Sequence, residues 1–389
     1  MSFRYASGIR KPGFNPLAAQ TSIEVYGLYS WGTNDEGQLG LGDSGGAGTY
    51  RSSPTQIGSS SNWSTLSAYG MVRHALAVKS DGTLWAWGDG SDGQLGLGNR
   101  TDYSSPKQVG SLTTWLKAVA GYRVSFAIKT DGTLWSWGGD VQSFGVLGHG
   151  NRTAYSSPKQ VGSLTNWAEV ASGFRTTAAV KTDGTLWTWG NNYFGSSGLG
   201  QGTSSHYSSP KQVGSLTTWL KVACGYGHVH ATTTGGALWA WGFNANGQLG
   251  LGNTTYKFDS PNQVGALTNW SSISDGTGGN RGFSLSIKTD GTLWTWGPGT
   301  SGRLGLGNTT DYSSPKQIGA LTTWRFAAAG SFQSIAVKTD GTLWSWGLNS
   351  AGELGLGNTT NYSSPKQVGA LATWEKITAG SQFSIAIAG

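Results

Sequence analysis

The sequence predicts an all-β protein: a closed ring of seven repeats, each of four short antiparallel strands. Three observations predict it. First, the octapeptide DGTLWxWG recurs at 81–88, 131–138, 183–190, 290–297 and 340–347, with a variant GGALWAWG at 235–242 and a degenerate copy ending at Trp31-Gly32. Successive copies lie 50 to 56 residues apart, and a fixed period of this size marks a propeller or repeat array. Second, Gly is 64 of 389 residues, while aromatic and charged residues are 12% each. That is the composition of many short strands joined by tight turns. Third, the ends complement one another. The first copy begins only at its third strand, near 25–32, whereas 374–380 (WEKITAG) and 383–388 (FSIAIA) read as a first and a second strand with no third. Together they complete one repeat. The C-terminal strands are therefore expected to pair with 26–31, closing the ring and removing both open edges.

One repeat justifies its elements in order. Residues 115–121 (WLKAVAG) form a first strand, small enough to line a channel. Residues 125–130 form a second. Asp131-Gly132 is expected to make a tight hairpin turn, because both residue types tolerate positive φ. Residues 133–138 form the third strand, with Trp135 and Trp137 on one face by alternation. A glycine-rich loop leads to the fourth strand, 156–161 (SSPKQV). Pro158 lacks an N–H donor and fits an outer edge, and Lys159 protects that edge from pairing with another chain. All 20 tryptophans fit this frame: six pairs spaced two apart, Trp31 with Tyr29 in the degenerate copy, and seven opening the first strand. Indoles have the volume to fill the wedge between sheets stacked around an axis.

The formal charge is +7, but ten of fifteen lysines recur at two repeat positions, before the turn and after the proline. Charge spread around a ring makes no stripe for a phosphate backbone, which argues against a nucleic-acid partner. The single cysteine, Cys224, excludes an intrachain disulfide and reads as a small core residue. No apolar run is long enough to span a membrane as a helix, and the first 20 residues lack the apolar region of a secretory signal. Residues 1–24 stand outside the repeat as an arm with no core of its own. Phe3, Arg4, Tyr5, Arg10, Lys11 and Phe14 are its candidate anchoring residues.

The run from 81, DGTLWAWG followed by SDGQLGLG and SSPKQVG, resembles the repeat of the regulator-of-chromosome-condensation family. The resemblance covers 25–389, and the short, Trp-rich form of the repeat resembles bacterial and bacteriophage members more than the longer eukaryotic repeats. It implies a seven-bladed β-propeller that binds proteins through one face. The family includes an exchange factor for a small GTPase, a plant ultraviolet receptor and bacterial β-lactamase inhibitors. The receptor's Gly-Trp-Arg-His-Thr motif is altered here, with Val72, Tyr122 or Phe174 in place of its tryptophan, which argues against photoreception.

Comparison of the repeats with one another locates a candidate face. In a four-stranded meander, the loops after strands one and three share one face. The turn after strand two and the link to the next blade share the other. The second set is nearly uniform. The first varies: the span from first-strand Trp to the residue before the turn runs from 14 to 18, and that from Trp-Gly to the outer proline from 19 to 23. Variable loops on a uniform scaffold carry recognition. The candidates are Tyr69, Met71, Arg73, His74, Tyr122, Arg123, Phe174, Arg175, Tyr226, His228 and Arg281, with Phe144, Tyr193, Phe194 and Phe243 from the third-strand loops. Arg73, Arg123 and Arg175 hold equivalent positions and should form an arc. Aromatics mixed with arginine dominate protein interfaces. No catalytic, cofactor or metal constellation is evident. His228 and His230, two apart, read as lying on opposite or loop-exposed faces.

The resulting expectation is a non-enzymatic protein-binding propeller, as a bacteriophage virion component (decoration, fibre or tail-associated) anchored by its arm to a capsid, tail or host surface protein. The second reading is a soluble, cytoplasmic bacterial inhibitor or regulator using the variable face. The third is an exchange-factor-like regulator.

Overall fold

The computed structural model describes residues 27–139, 144–192, 199–202, 205–278 and 281–389. These form seven four-stranded antiparallel sheets, the blades of a β-propeller. Blades 1 to 6 span residues 63–108, 115–160, 167–212, 219–263, 270–317 and 324–367. Blade 7 is made from both ends: Trp374–Ala379 pairs with Phe383–Ala388, which pairs with Gly27–Gly32, which in turn pairs with Arg51–Gln56. The register runs unbroken from Gly27 opposite Ala388 to Gly32 opposite Phe383. The closure expected from the sequence is thus present. The arm at 1–24, with Phe3, Arg4, Tyr5, Arg10, Lys11 and Phe14, lies outside the described residues.

The strands sit within a residue of expectation, at Trp115–Gly121, Val124–Lys129, Leu134–Gly138 and Tyr155–Gln160 in blade 2. The turn differs in kind. The Lys129 N–H donates to the Thr133 carbonyl, and the Gly132 N–H donates to that of Lys129, so three residues form the loop. Gly132 alone takes the left-handed conformation, at φ 76°. Asp131 serves a different purpose. Its Oδ1 accepts from the Thr133 N–H at 2.9 Å and from the Thr133 hydroxyl at 2.7 Å, and the Thr133 Oγ1 accepts from Trp135 Nε1 at 2.9 Å. The Asp-Gly-Thr-Leu-Trp motif is therefore a hydrogen-bond chain that fixes an indole. Blade 4 carries Gly235-Gly236-Ala237 instead, and Trp239 Nε1 has no partner among the described residues.

Within each blade three aromatic rings interlock. Trp115 meets Trp135 at 6.0 Å and Trp137 at 6.3 Å between centroids, both at steep angles. The lysine before the turn caps them: Lys129 Nζ lies 3.8 Å from the Trp135 centroid, and Lys181, Lys288 and Lys338 sit equivalently at 3.7 Å. With Lys79, five of the lysines are thus seated on indoles as cation–π contacts. The second indole of each pair reaches the neighbouring blade. Trp346 Nε1 donates to the Arg303 carbonyl at 2.9 Å, and Gly305, at φ 73°, leaves room for it. A Cβ on Gly305 would lie 2.7 Å from Trp346 Nε1.

His74, expected on the variable face, is instead buried in the second strand of blade 1. Its Nε2 lies 3.0 Å from Ser125 Oγ, whose proton goes to the Gln94 carbonyl, so Nε2–H is the donor. Burial lowers its pKa from 6.5 to about 4, against the pull of Asp89.

Three outcomes follow for the fold. Truncation after Thr373 deletes half of blade 7 and should abolish the single cooperative unfolding transition, as read by chemical denaturation. Gly305→Ala should cost about 2 kcal/mol or more, through left-handed strain and the clash with a buried ring, and denaturant midpoints will show it. Because His74 is neutral when folded, its contribution is complete above its unfolded pKa of 6.5 and is lost as the pH falls towards about 4. The loss should be up to about 1.4 kcal/mol per pH unit. His74→Val, which places the residue of the next blade (Val124) there, should flatten that part of the stability–pH curve.

Candidate protein-binding face

The loops after first and third strands do share one face, as shown by ion pairs that join them. Arg73, in the first loop of blade 1, meets Glu36 at 3.1 Å, and Arg123, in that of blade 2, meets Asp92 at 3.2 Å. Both acids sit in third-strand loops of the preceding blades. Each pair is about half exposed, so it orients an arginine without contributing much stability.

The first loops of blades 2, 3 and 4 are stitched together by aromatics. Tyr122 packs on Phe174 at 4.5 Å, and Phe174 stacks on Tyr226 at 4.7 Å and 23°. The row crosses three blades. Arg123 lies 5.3 Å from the Tyr122 ring, and Arg175 lies 4.6 Å from Phe174 and 5.7 Å from Phe144. Arg123 and Arg175 thus lie against the aromatic row of blades 2 to 4.

Arg123 is held under strain. Tyr122-Arg123 is a two-residue turn between Gly121 and Val124, which face each other in register, and Arg123 has φ 59°. At the equivalent place in blade 4 stands Gly227, at φ 81°. An arginine therefore occupies a conformation the fold elsewhere gives to glycine, at a cost of about 1 kcal/mol.

Beside this row a cavity of about 430 Å³ opens at the axis. Met71, Arg73, Tyr122 and Arg123 line it, together with Phe332 from the far side of the ring. Sequence reading passed over Phe332. Aligning 330–333 with 121–124 would have found it, since it falls at the position of Arg123.

Other candidates are placed differently. Tyr69 points into the central channel, and its hydroxyl donates to the Cys224 carbonyl on the opposite side. The channel is otherwise lined by small first-strand residues such as Ala120, Ala171 and Ala328. Cys224 is buried, as expected, and burial pushes its thiol pKa up. Arg281 is exposed. Phe243 packs on Tyr256 at 5.4 Å, and Phe144 on His206 at 5.1 Å. Tyr193 and Phe194 lie outside the described residues.

His228 is a second correction. It and His230 point the same way, because residues two apart on a strand share a face. Both are fully buried, and both approach Asp275 of blade 5. Asp275 Oδ1 lies 3.0 Å from His230 Nδ1 and 3.7 Å from His228 Nε2. Burial by itself would raise the Asp275 pKa, but the two imidazoles outweigh it and hold the carboxyl below its usual range. Burial lowers the pKa of His228. These residues form a group that could hold a metal ion, where the sequence suggested none.

Comparison with known proteins bears on the whole ring. The chain is 33% identical over 301 residues to the ultraviolet-B receptor UVR8 of Arabidopsis thaliana, covering 74% of this chain and 65% of the receptor. It is 31% identical over 324 residues to the human E3 ubiquitin-protein ligase HERC2, covering 80% of this chain and 6% of that protein. The chain thus spans less than two thirds of the length of either. Among solved structures, Prp20p of Saccharomyces cerevisiae, described with its binding to Gsp1p and histones, superposes with a TM-score of 0.79 at 22% identity, covering 94% of this chain and 92% of that one. Human WBSCR16 superposes at 0.78 with 19% identity, covering 93% and 98%. These superpositions share the fold. The family model of the RCC1-like domain matches residues 27–386, and the chain belongs to that family.

Proposed function

We propose that this protein is a non-catalytic binding propeller that recognises a protein partner with the face formed by its first- and third-strand loops. The observation that carries the reading is the Tyr122–Phe174–Tyr226 row across three blades, flanked by Arg73, Arg123 and Arg175. Rigid aromatics and arginine make large contacts at low entropic cost, and such residues supply most of the energy of protein interfaces. The strain at Arg123 supports the same reading, since a fold able to use glycine there carries an arginine instead. Binding of Gsp1p and histones by Prp20p shows what one propeller of this shape does. It lends the class of partner, a protein, without its identity. Ultraviolet reception is not proposed here, because the tryptophans are absorbed into the blade framework. UVR8, HERC2 and Prp20p are eukaryotic proteins and lend a virion setting no support.

The opposite face offers the competing surface. Leu112, Leu164, Leu216, Leu267, Leu321 and Leu371 recur in the links between blades, each 41–48% exposed. Two variants separate the faces: Tyr122→Ala with Arg123→Gly on one, and Leu164→Ser with Leu216→Ser on the other. Partners captured by the wild type should be lost by the first, with a weakening of about 1–4 kcal/mol per hot-spot residue, and kept by the second. Arg123→Gly should also leave the fold as stable or slightly more so, which thermal unfolding will report. Loss of binding in the leucine variant alone would overturn the assignment.

A further inference from the structure

We propose that His228, His230 and Asp275 bind one divalent transition-metal ion, zinc being the best match, inside the junction of blades 4 and 5. The first support is where the three residues stand in the repeat. Position 230 is Leu76, Phe126, Leu285 or Ile335 in other blades, and position 275 is Ala120, Ala329 or Ala379, by the register of the strands. An imidazole and a carboxylate thus stand where other blades have a large apolar side chain and a methyl group. The two departures come from adjacent repeats, 45 residues apart in sequence, and meet in space. His228 joins them at the position held by Val124 and Phe283 in blades 2 and 5 and by the buried His74 in blade 1.

The geometry fits a metal better than a hydrogen-bond network. The ligating atoms of the three side chains all lie within 4.8 Å of one another. The Asp275 Oδ1 distances, 3.0 Å to His230 Nδ1 and 3.7 Å to His228 Nε2, bracket the separation of about 3.3 Å between neighbouring ligands of a tetrahedral zinc with bonds of about 2.0–2.1 Å. Neither ring nitrogen of His228 has a hydrogen-bond partner among the described residues, although the side chain is fully buried. An unpaired buried imidazole is costly, and coordination would satisfy the nitrogen nearer Asp275, Nε2. Its ring is held in place by Gly225 and Gly282, where an added Cβ would lie 2.0 Å and 2.3 Å from Cε1.

Outer contacts have the pattern that orients metal ligands. His230 Nε2 faces the Leu249 carbonyl at 3.4 Å. His230 Nδ1 lies 3.0 Å from Asp275 Oδ1 and 3.1 Å from Oδ2, so either a proton or a metal ion sits between ring and carboxylate, and the proton on Nε2 selects the ion. The Ser284 hydroxyl donates to Asp275 Oδ1 at 2.8 Å. Ser284 thus orients Asp275 through the oxygen that would face the ion, and ligands oriented by such hydrogen bonds are typical of bound zinc. Asp275 also borders the channel cavity of about 200 Å³, although its side chain is itself fully buried, and an ion and a fourth-ligand water would enter from that side. Such an ion would cross-link two blades beside the axis.

The test uses untagged full-length protein, stripped with a strong chelator and then offered zinc. The wild type should retain about one zinc per chain against a weak chromogenic chelator, and its thermal midpoint should rise with zinc and fall again on chelation. Cobalt(II) should give the visible absorption of a low-coordinate site. The triple variant His228→Val, His230→Leu, Asp275→Ala carries residues found at these positions in other blades. It should take up no zinc, show no cobalt bands and be indifferent to chelator. The proposal is overturned if stripped wild type binds no stoichiometric zinc and its midpoint ignores both metal and chelator. The cluster is then a buried ion pair with a proton on His230. Should the triple variant fail to fold, the wild-type cobalt spectrum and zinc-dependent midpoint still decide the matter.

Discussion

The second indole of each Trp-x-Trp pair is fully buried, yet its N–H must find an acceptor, and it finds one on the neighbouring blade. Trp87 donates to the Gln38 carbonyl, Trp137 to Gln94, Trp189 to Val146, Trp296 to Gln248, Trp346 to Arg303 and Trp31 to Glu353, all at 2.8–3.0 Å. Each acceptor lies in the loop that follows the previous blade's third strand. The loop must therefore pass close to the ring, which is why glycine stands two residues after the acceptor. One buried donor thus fixes the loop's path, the glycine-rich sequence that follows it, and the angle at which blades meet. The Trp31 contact bridges 322 residues of sequence and holds the two chain ends in one blade.

That constraint pins each third-strand loop at one point and leaves the first-strand loops, and the rest of the third-strand loops, free to vary. The blades are held from within by indoles, capped by lysines and closed by the Asp-Thr-Trp chain. Loops on the opposite side of the strands can then change length and identity without loss of the ring. Blades 2 to 4 use this freedom for a continuous aromatic row, and blade 2 accepts backbone strain at Arg123 to complete it. The same tolerance allows polar substitutions into the wall between blades 4 and 5, where His228, His230 and Asp275 gather.

The framework was legible because it repeats. A residue type that recurs seven times at one period has to serve the common structure, so strand order, outer proline edge, tryptophan frame and ring closure could all be read off. The details that went astray lie where one repeat departs from the others. His74 reads as a loop residue until the strand is seen to begin with it. Tyr69 reads as a face residue, but with small residues around it the ring has space to turn into the channel. Asp131 reads as a turn former, whereas its carboxylate organises the threonine after it. Asp275 attracted no notice, because its partners come from another repeat.

The sequence by itself determined the number of blades, their strand order and the shared seventh blade, because periodic hydrophobic and glycine positions specify local geometry and the split ends leave one way to pair. Only the tertiary structure decided which side chains from different blades meet. The aromatic row, the Tyr69–Cys224 contact across the axis and the His228–His230–Asp275 cluster all depend on the angle and spacing between blades. Those are set by packing around the ring and by the indole latches, and no period within the chain encodes which unique residues they will bring together.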